Sequence, residues 1–102
     1  DDSAADHRAA AEATLDMAFK ILAQPKPPQL LILDEVCNAI TDGLIEEQRV
    51  LDLLVQRQDC HIVLTGRSAS KRLIASADLV TEMKNVKHPY DQGILAIKGL
   101  DY

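Results

Sequence analysis

The sequence predicts an α/β domain with a parallel sheet and flanking helices, and three observations lead there. Two apolar runs of strand length, residues 30–33 and 61–65, each end abruptly in polar or small residues. Stretches of helical periodicity lie before, between and after these runs. Strands alternating with helices of about ten residues imply βαβ units, whose strands must run parallel.

The first helix follows from Ala11, Leu15, Ala18, Phe19 and Leu22, which share one face at helical spacing. Asp2 and Ser3 are suited to cap it, and Asp6 favours its first turns. Pro25, Pro27 and Pro28 end it. The strand Leu30–Leu33 follows, and Asp34-Glu35 closes it. Residues 36–40 suit a short helical turn that stops at Asp42-Gly43. Glu46 and Glu47 then open a helix at the end where the macrodipole favours acids, with Val50, Leu51, Leu54 and Val55 as its expected buried stripe. A second strand over residues 61–65 runs into Gly66-Arg67-Ser68. Leu73, Ile74 and Ala77 restore a helical pattern, and residues 79–83 are expected to form a third strand. Residues 94–102 have apolar positions too irregular to assign.

Three strands make a thin parallel sheet, because both faces of such a sheet need cover and its edges invite pairing. The 102 residues therefore read as one partial domain, 1–102, rather than a complete doubly wound unit. The first residue is Asp1 rather than Met, as expected of a processed chain or a piece of a longer one.

Composition narrows the function. Aromatics are 3% and Trp is absent, so the core must come from Leu, Ile, Val and Ala. A formal net charge of −5 argues against nonspecific nucleic-acid binding, which needs a basic surface. No apolar run approaches the roughly 20 residues of a membrane span, and no signal peptide is visible, so a cytoplasmic protein is expected. Cys37 and Cys60 sit in apolar contexts without metal-ligand spacing and are expected to be reduced core residues.

Leu30-Leu31-Ile32-Leu33-Asp34-Glu35 carries the most chemical information. In P-loop nucleotide-binding folds the second Walker element has this form, a buried strand that delivers carboxylates to the ligand-binding edge. Such a carboxylate can hold Mg²⁺ beside a triphosphate, although a solvated acidic pair capping a strand gives the same pattern. A phosphate loop, G-x-x-x-x-G-K-[ST], is missing from these residues. The nearest approach, Gly66-Arg67-Ser68, has His61 where the first Gly should fall and Arg in place of Lys.

Several blocks now coincide in order and spacing. Leu31-Ile32-Leu33-Asp34-Glu35-Val36 precedes Gly43-Leu44, Val63-Leu64-Thr65-Gly66-Arg67 and Ala77-Asp78-Leu79-Val80-Thr81-Glu82-Met83. Val86-Lys87-His88-Pro89-Tyr90-Asp91, Gly93 and Lys98-Gly99-Leu100-Asp101-Tyr102 follow. Together they resemble the carboxy-terminal half of the P-loop type of corrinoid adenosyltransferase, over nearly the whole chain and more loosely before Pro25. The resemblance implies part of a RecA-like P-loop NTPase fold lacking the amino-terminal P-loop unit. It also implies a homodimeric cytosolic enzyme of vitamin B12 synthesis or salvage. Such an enzyme transfers the 5′-deoxyadenosyl group of ATP to the Co(I) of a reduced corrinoid, with Mg²⁺ required.

Carried onto this chain, the resemblance makes Asp34 and Glu35 the metal pair, with Glu35 the stronger candidate. Arg67 becomes the guanidinium expected to meet phosphate, unless it pairs with Asp34 or Glu35 at the sheet edge. Glu35 and Arg67 are thus the expected catalytic residues, and Thr65, Arg67, His88 and Asp91 the expected nucleotide- or corrinoid-binding ones. Lys87 and Lys98 are weaker candidates for acidic ligand groups. At Ser70-Lys71, where the family often has prolines or an acid, this chain places bases at a helix start. The expected partners are ATP, the corrinoid, and either a second copy or an amino-terminal half that carries the phosphate loop. The competing readings are a non-catalytic interaction module and a remnant of some other P-loop ATPase.

Overall fold

A computed structural model describes residues 2–83 of the chain. Its elements, in order, are α1 (Asp2–Leu22), β1 (Leu30–Leu33), α2 (Val36–Thr41), α3 (Glu47–Val55), β2 (His61–Leu64) and α4 (Lys71–Ser76). The described sheet has two parallel strands in the register Leu30↔His61 to Leu33↔Leu64. Because the register is even, Asp34 and Thr65 leave the two strands side by side. The α2–α3 segment is the crossover between the strands, as the alternation of elements required.

α1 begins at Asp2, so Ser3 lies inside its first turn rather than ahead of it. Its apolar face is the expected one, with Leu15, Ala18 and Leu22 buried and Ala11 and Phe19 packed against them. Lys20 in the last turn complements the carbonyl end of the dipole. α2 stops where Gly43 adopts φ 75°, the left-handed conformation that lets a glycine close a helix without a Cβ penalty. On α3 the most buried positions are Val50 and Leu53, both at 0% exposure, whereas Val55 is 85% exposed. The buried stripe is therefore turned from the expected one. Leu51 stays half-buried in it and Leu53 replaces Val55.

One side of the sheet and the helices form a single core of Leu15, Leu22, Leu33, Val36, Ile45 and their neighbours. Each large side chain wholly buried here contributes about 1.5–3 kcal/mol relative to exposure. Leu31, Leu33, Ile62 and Leu64 belong to that side. Leu30, Ile32 and Val63 are 52%, 56% and 42% exposed, so the strand expected to be buried on both faces is covered on one. Residues 79–83, the expected third strand, form none, and Leu79 and Met83 stand 84% and 91% exposed. A strand persists only where its backbone groups find ladder partners, and the described sheet offers them none.

Arg49 joins α1 to α3. Its guanidinium donates to Glu12 and, at 2.8 Å, to Asp16, and lies 5.4 Å from the centre of the Phe19 ring. The Asp16 hydrogen bond and the two carboxylate charges outweigh partial burial and hold this guanidinium more firmly charged than usual.

Candidate functional site

The site is assembled at the carboxyl edge of the sheet. Asp34 and Glu35 follow β1; Thr65, Gly66 and Arg67 follow β2. Parallel pairing alone brings the two triplets together, and three further interactions fix their geometry.

The first is centred on Thr65. Its hydroxyl donates to Asp34 Oδ1 at 2.8 Å and accepts the Glu35 backbone N–H at 2.7 Å. Glu35 sits at φ 58°, ψ 22°, a left-handed conformation that costs a residue with a Cβ about 1–2 kcal/mol. The Thr65 oxygen satisfies the amide exposed by that turn, so the strain and its compensation are adjacent.

The second lies between the β2 exit and the start of α2. The Cys37 N–H donates to the Thr65 carbonyl at 3.2 Å, and the Arg67 N–H donates to Asn38 Oδ1 at 2.9 Å.

The third is a steric fit at Gly66. A Cβ added there would lie 2.4 Å from Cys37 Cβ and 3.1 Å from Asn38 Oδ1. Only a residue without a side chain lets the strand end pass this close to α2.

These contacts leave the charged groups available. Asp34, Glu35 and Arg67 are all exposed. Among the described residues neither carboxylate meets a cation, and the expected alternative for Arg67, an ion pair with that acidic pair, does not form. An open cleft of ≈ 390 Å³ adjoins the acidic pair, with Thr14 and Leu15 of α1, Ile32 and Ile45 in its walls. A wider hollow of ≈ 570 Å³ lies between α3 and α4, away from the strand ends. There Arg72 is held by Glu47 and Gln48, and Arg57 reaches Asp78.

The donor chemistry suits a shared Mg²⁺ site. Among the described residues no three His, Cys, Asp or Glu side chains gather as a complete metal cage. Mg²⁺ ordinarily takes one or two carboxylates and completes its shell with water and phosphate oxygens, which is what Asp34 and Glu35 can offer. His88 and Asp91, with Lys87 and Lys98, lie outside the described residues. Asn38 was not among the expected site residues; its only sequence signal is a polar side chain inside an otherwise apolar turn, Val36-Cys37-Asn38-Ala39-Ile40.

Fold and edge together define an α/β protein with an acidic strand-end site. The particular family is then given by sequence. The model of the family described as ATP:corrinoid adenosyltransferase BtuR/CobO/CobP matches residues 1–102, and the chain belongs to that family. It is 42% identical over 95 residues to a corrinoid adenosyltransferase of Pseudomonas aeruginosa, covering 92% of this chain and 46% of that protein. A corrinoid adenosyltransferase of a Sinorhizobium species is 38% identical over 85 residues, 81% of this chain and 40% of its own length. One from Escherichia coli is 30% identical over 74 residues, 72% and 38% respectively. The chain thus spans less than half the length of these curated relatives.

Proposed function

We propose that these residues supply the carboxy-terminal, acidic half of an ATP:corrinoid adenosyltransferase with a RecA-like core. In this reading a separate amino-terminal unit brings the phosphate loop. The observation that carries the reading is the Thr65 hydroxyl joining the Asp34-Glu35 pair to the Thr65-Gly66-Arg67 turn, in a chain of this family.

The reaction assigns the residues their work. The Co(I) of the reduced corrinoid is the nucleophile; it donates its electron pair to the ribose C5′ of ATP. The C5′–O bond breaks, its electrons leave with triphosphate, and cobalt ends as an alkylated Co(III). No protein nucleophile is needed, so the chain contributes alignment and charge compensation. Asp34 and Glu35 would hold Mg²⁺, which when bound offsets charge on the triphosphate. Arg67 would fork onto phosphate oxygens, and its guanidinium, exposed and without an ion pair among the described residues, supports that role. Thr65 acts through the acidic pair by fixing its geometry. The family resemblance adds His88 and Asp91 as nucleotide or corrinoid contacts.

The same reading covers assembly and place. The apolar sheet face at Leu30, Ile32 and Val63 suits cover by the amino-terminal unit, since parallel strands are ordinarily covered on both faces. The resemblance supports a cytoplasmic homodimer. Among the described residues no helix is long and apolar enough to cross a membrane.

The test is reconstitution. This chain is mixed with the amino-terminal half of a relative, then given ATP, Mg²⁺ and a reduced corrinoid. Adenosylated corrinoid should form with equimolar triphosphate, and the chain alone should give neither. A stable complex of the two halves without product would overturn the catalytic assignment.

A further inference from the structure

We infer that Asn38 is a positioning residue for Arg67, fixing the point from which the guanidinium leaves the sheet edge. The inference deepens the proposed function and rests on Arg67 meeting the triphosphate there.

The geometry is specific to this side chain. Asn38 lies on α2, three residues after Glu35, and its own N–H donates to the Glu35 carbonyl at 3.0 Å. Its Oδ1 accepts the Arg67 N–H at 2.9 Å across 29 residues of sequence. The amide oxygen of half-buried Asn38 thus reaches over the strand end and holds the backbone of a residue whose side chain is exposed. The fit at Gly66 keeps the distance short, because the strand exit lies against Cys37 and Asn38 with no room for a Cβ.

The consequence is a closed circuit. Glu35 bonds to Thr65 through its amide and to Asn38 through its carbonyl; Asn38 bonds to Arg67, which follows Thr65 by two residues. The backbone points from which the candidate metal ligand and the candidate phosphate ligand leave the sheet edge are therefore tied to each other. Without the Asn38 oxygen the Arg67 N–H would turn to water. The 65–67 turn would keep its Cys37 bond to the Thr65 carbonyl but lose the hydrogen bond that holds the Arg67 backbone among the described residues. Misplacing a charge-stabilising group by about 1 Å is enough to cost roughly a hundredfold in rate.

The test uses an adenosyltransferase that carries this chain as its carboxy-terminal half. It compares Asn38→Ala, Asn38→Asp, Arg67→Ala and the Asn38→Ala/Arg67→Ala pair. Asn38→Asp retains an acceptor oxygen and should keep turnover within about threefold of the parent. Asn38→Ala should lower kcat by about ten- to a hundredfold with KM for the corrinoid unchanged. Added to Arg67→Ala, it should cost little more, since both act through one group. In the chain alone, the Arg67 amide should exchange faster in Asn38→Ala and remain protected in Asn38→Asp.

Failures separate cleanly. A fully active Arg67→Ala enzyme overturns the phosphate role of Arg67 and this inference with it. A poor Arg67→Ala enzyme beside an active Asn38→Ala enzyme overturns only the positioning role. So does a multiplicative loss in the double variant, or an Asn38→Asp enzyme as impaired as Asn38→Ala while its Arg67 amide stays protected.

Discussion

Thr65 Oγ1 donates to Asp34 Oδ1 at 2.8 Å, so the end of β2 grips the carboxylate that ends β1. The same oxygen accepts the Glu35 N–H, and one hydroxyl organises both acids. Removing it in Thr65→Val leaves an amide and a carboxylate oxygen to solvent at a partly exposed position. The expected loss is about 1–2 kcal/mol by urea unfolding, with Thr65→Ser retaining most of it. A valine variant as stable as the parent would mean that water replaces the hydroxyl without cost.

Glu35 separates stability from activity. Glu35→Gly relieves the left-handed backbone and should raise stability by about 0.5–1 kcal/mol. Glu35→Gln keeps the backbone strain and should leave stability nearly unchanged. In the reconstituted enzyme both should lose most turnover, because both remove the candidate metal carboxylate. Full activity of the glutamine variant at saturating Mg²⁺ would return Glu35 to a purely structural turn.

Gly66→Ala tests the tightest contact at the edge. Its Cβ would meet Cys37 Cβ at 2.4 Å, too close to be absorbed by a side-chain rotation, since both atoms are fixed to backbone. The strand exit and α2 must separate, at a cost of about 1–3 kcal/mol. A lower Tm is expected, with faster exchange of the Cys37 and Arg67 amides, whose acceptors span the same gap.

The sequence made some of this legible and hid the rest for physical reasons. The α1 face was readable because Leu15, Ala18 and Leu22 are isolated apolar positions at helical spacing. α3 carries Leu53, Leu54 and Val55 in a row, so periodicity could not choose among them. Its rotation is tied to α1 through Arg49, which left Val55 outward. β1 and β2 were evident as apolar runs, but a run apolar on both faces does not reveal which face is covered. Residues 79–83 have the composition of a strand without a described partner. At the site, Asp34, Glu35 and Thr65 meet through the Thr65 hydroxyl as their positions at strand ends required, and Arg67 follows on the same strand exit. The Asn38 bond and the Gly66 fit depend on how close α2 approaches β2, which no local pattern encodes.

Arg49 should behave as a screened but cooperative clamp. It contacts Glu12, Asp16 and the Phe19 ring together, so Arg49→Ala should cost about 1–2 kcal/mol, more than an isolated exposed pair. Arg49→Lys keeps the charge but not the fork, and should recover less than half of that loss. Because the groups are partly exposed, added salt should narrow the gap between parent and alanine variant. Insensitivity to salt would place the effect in the packing of the arginine stem on Phe19.

Cys37 links the core to pH. It is 5% exposed and unpaired, and burial pushes its thiol above the ordinary range, with a backbone hydrogen bond partly offsetting the shift. The folded state therefore releases this proton at higher pH than the unfolded chain. Its contribution to stability is complete below the ordinary thiol pKa and is lost as pH rises through the raised folded value. Unfolding free energy measured from about pH 7 to about pH 10 should fall across the alkaline part of that window. Cys37→Ala should flatten the fall while lowering stability at neutral pH through the vacated volume. In the native chain Cys37 should resist iodoacetamide at about pH 8 and react once urea opens the core, because the attacking species is the thiolate. Rapid native alkylation without loss of structure would show that α2 opens locally, and with it the wall against which Gly66 and Arg67 are held.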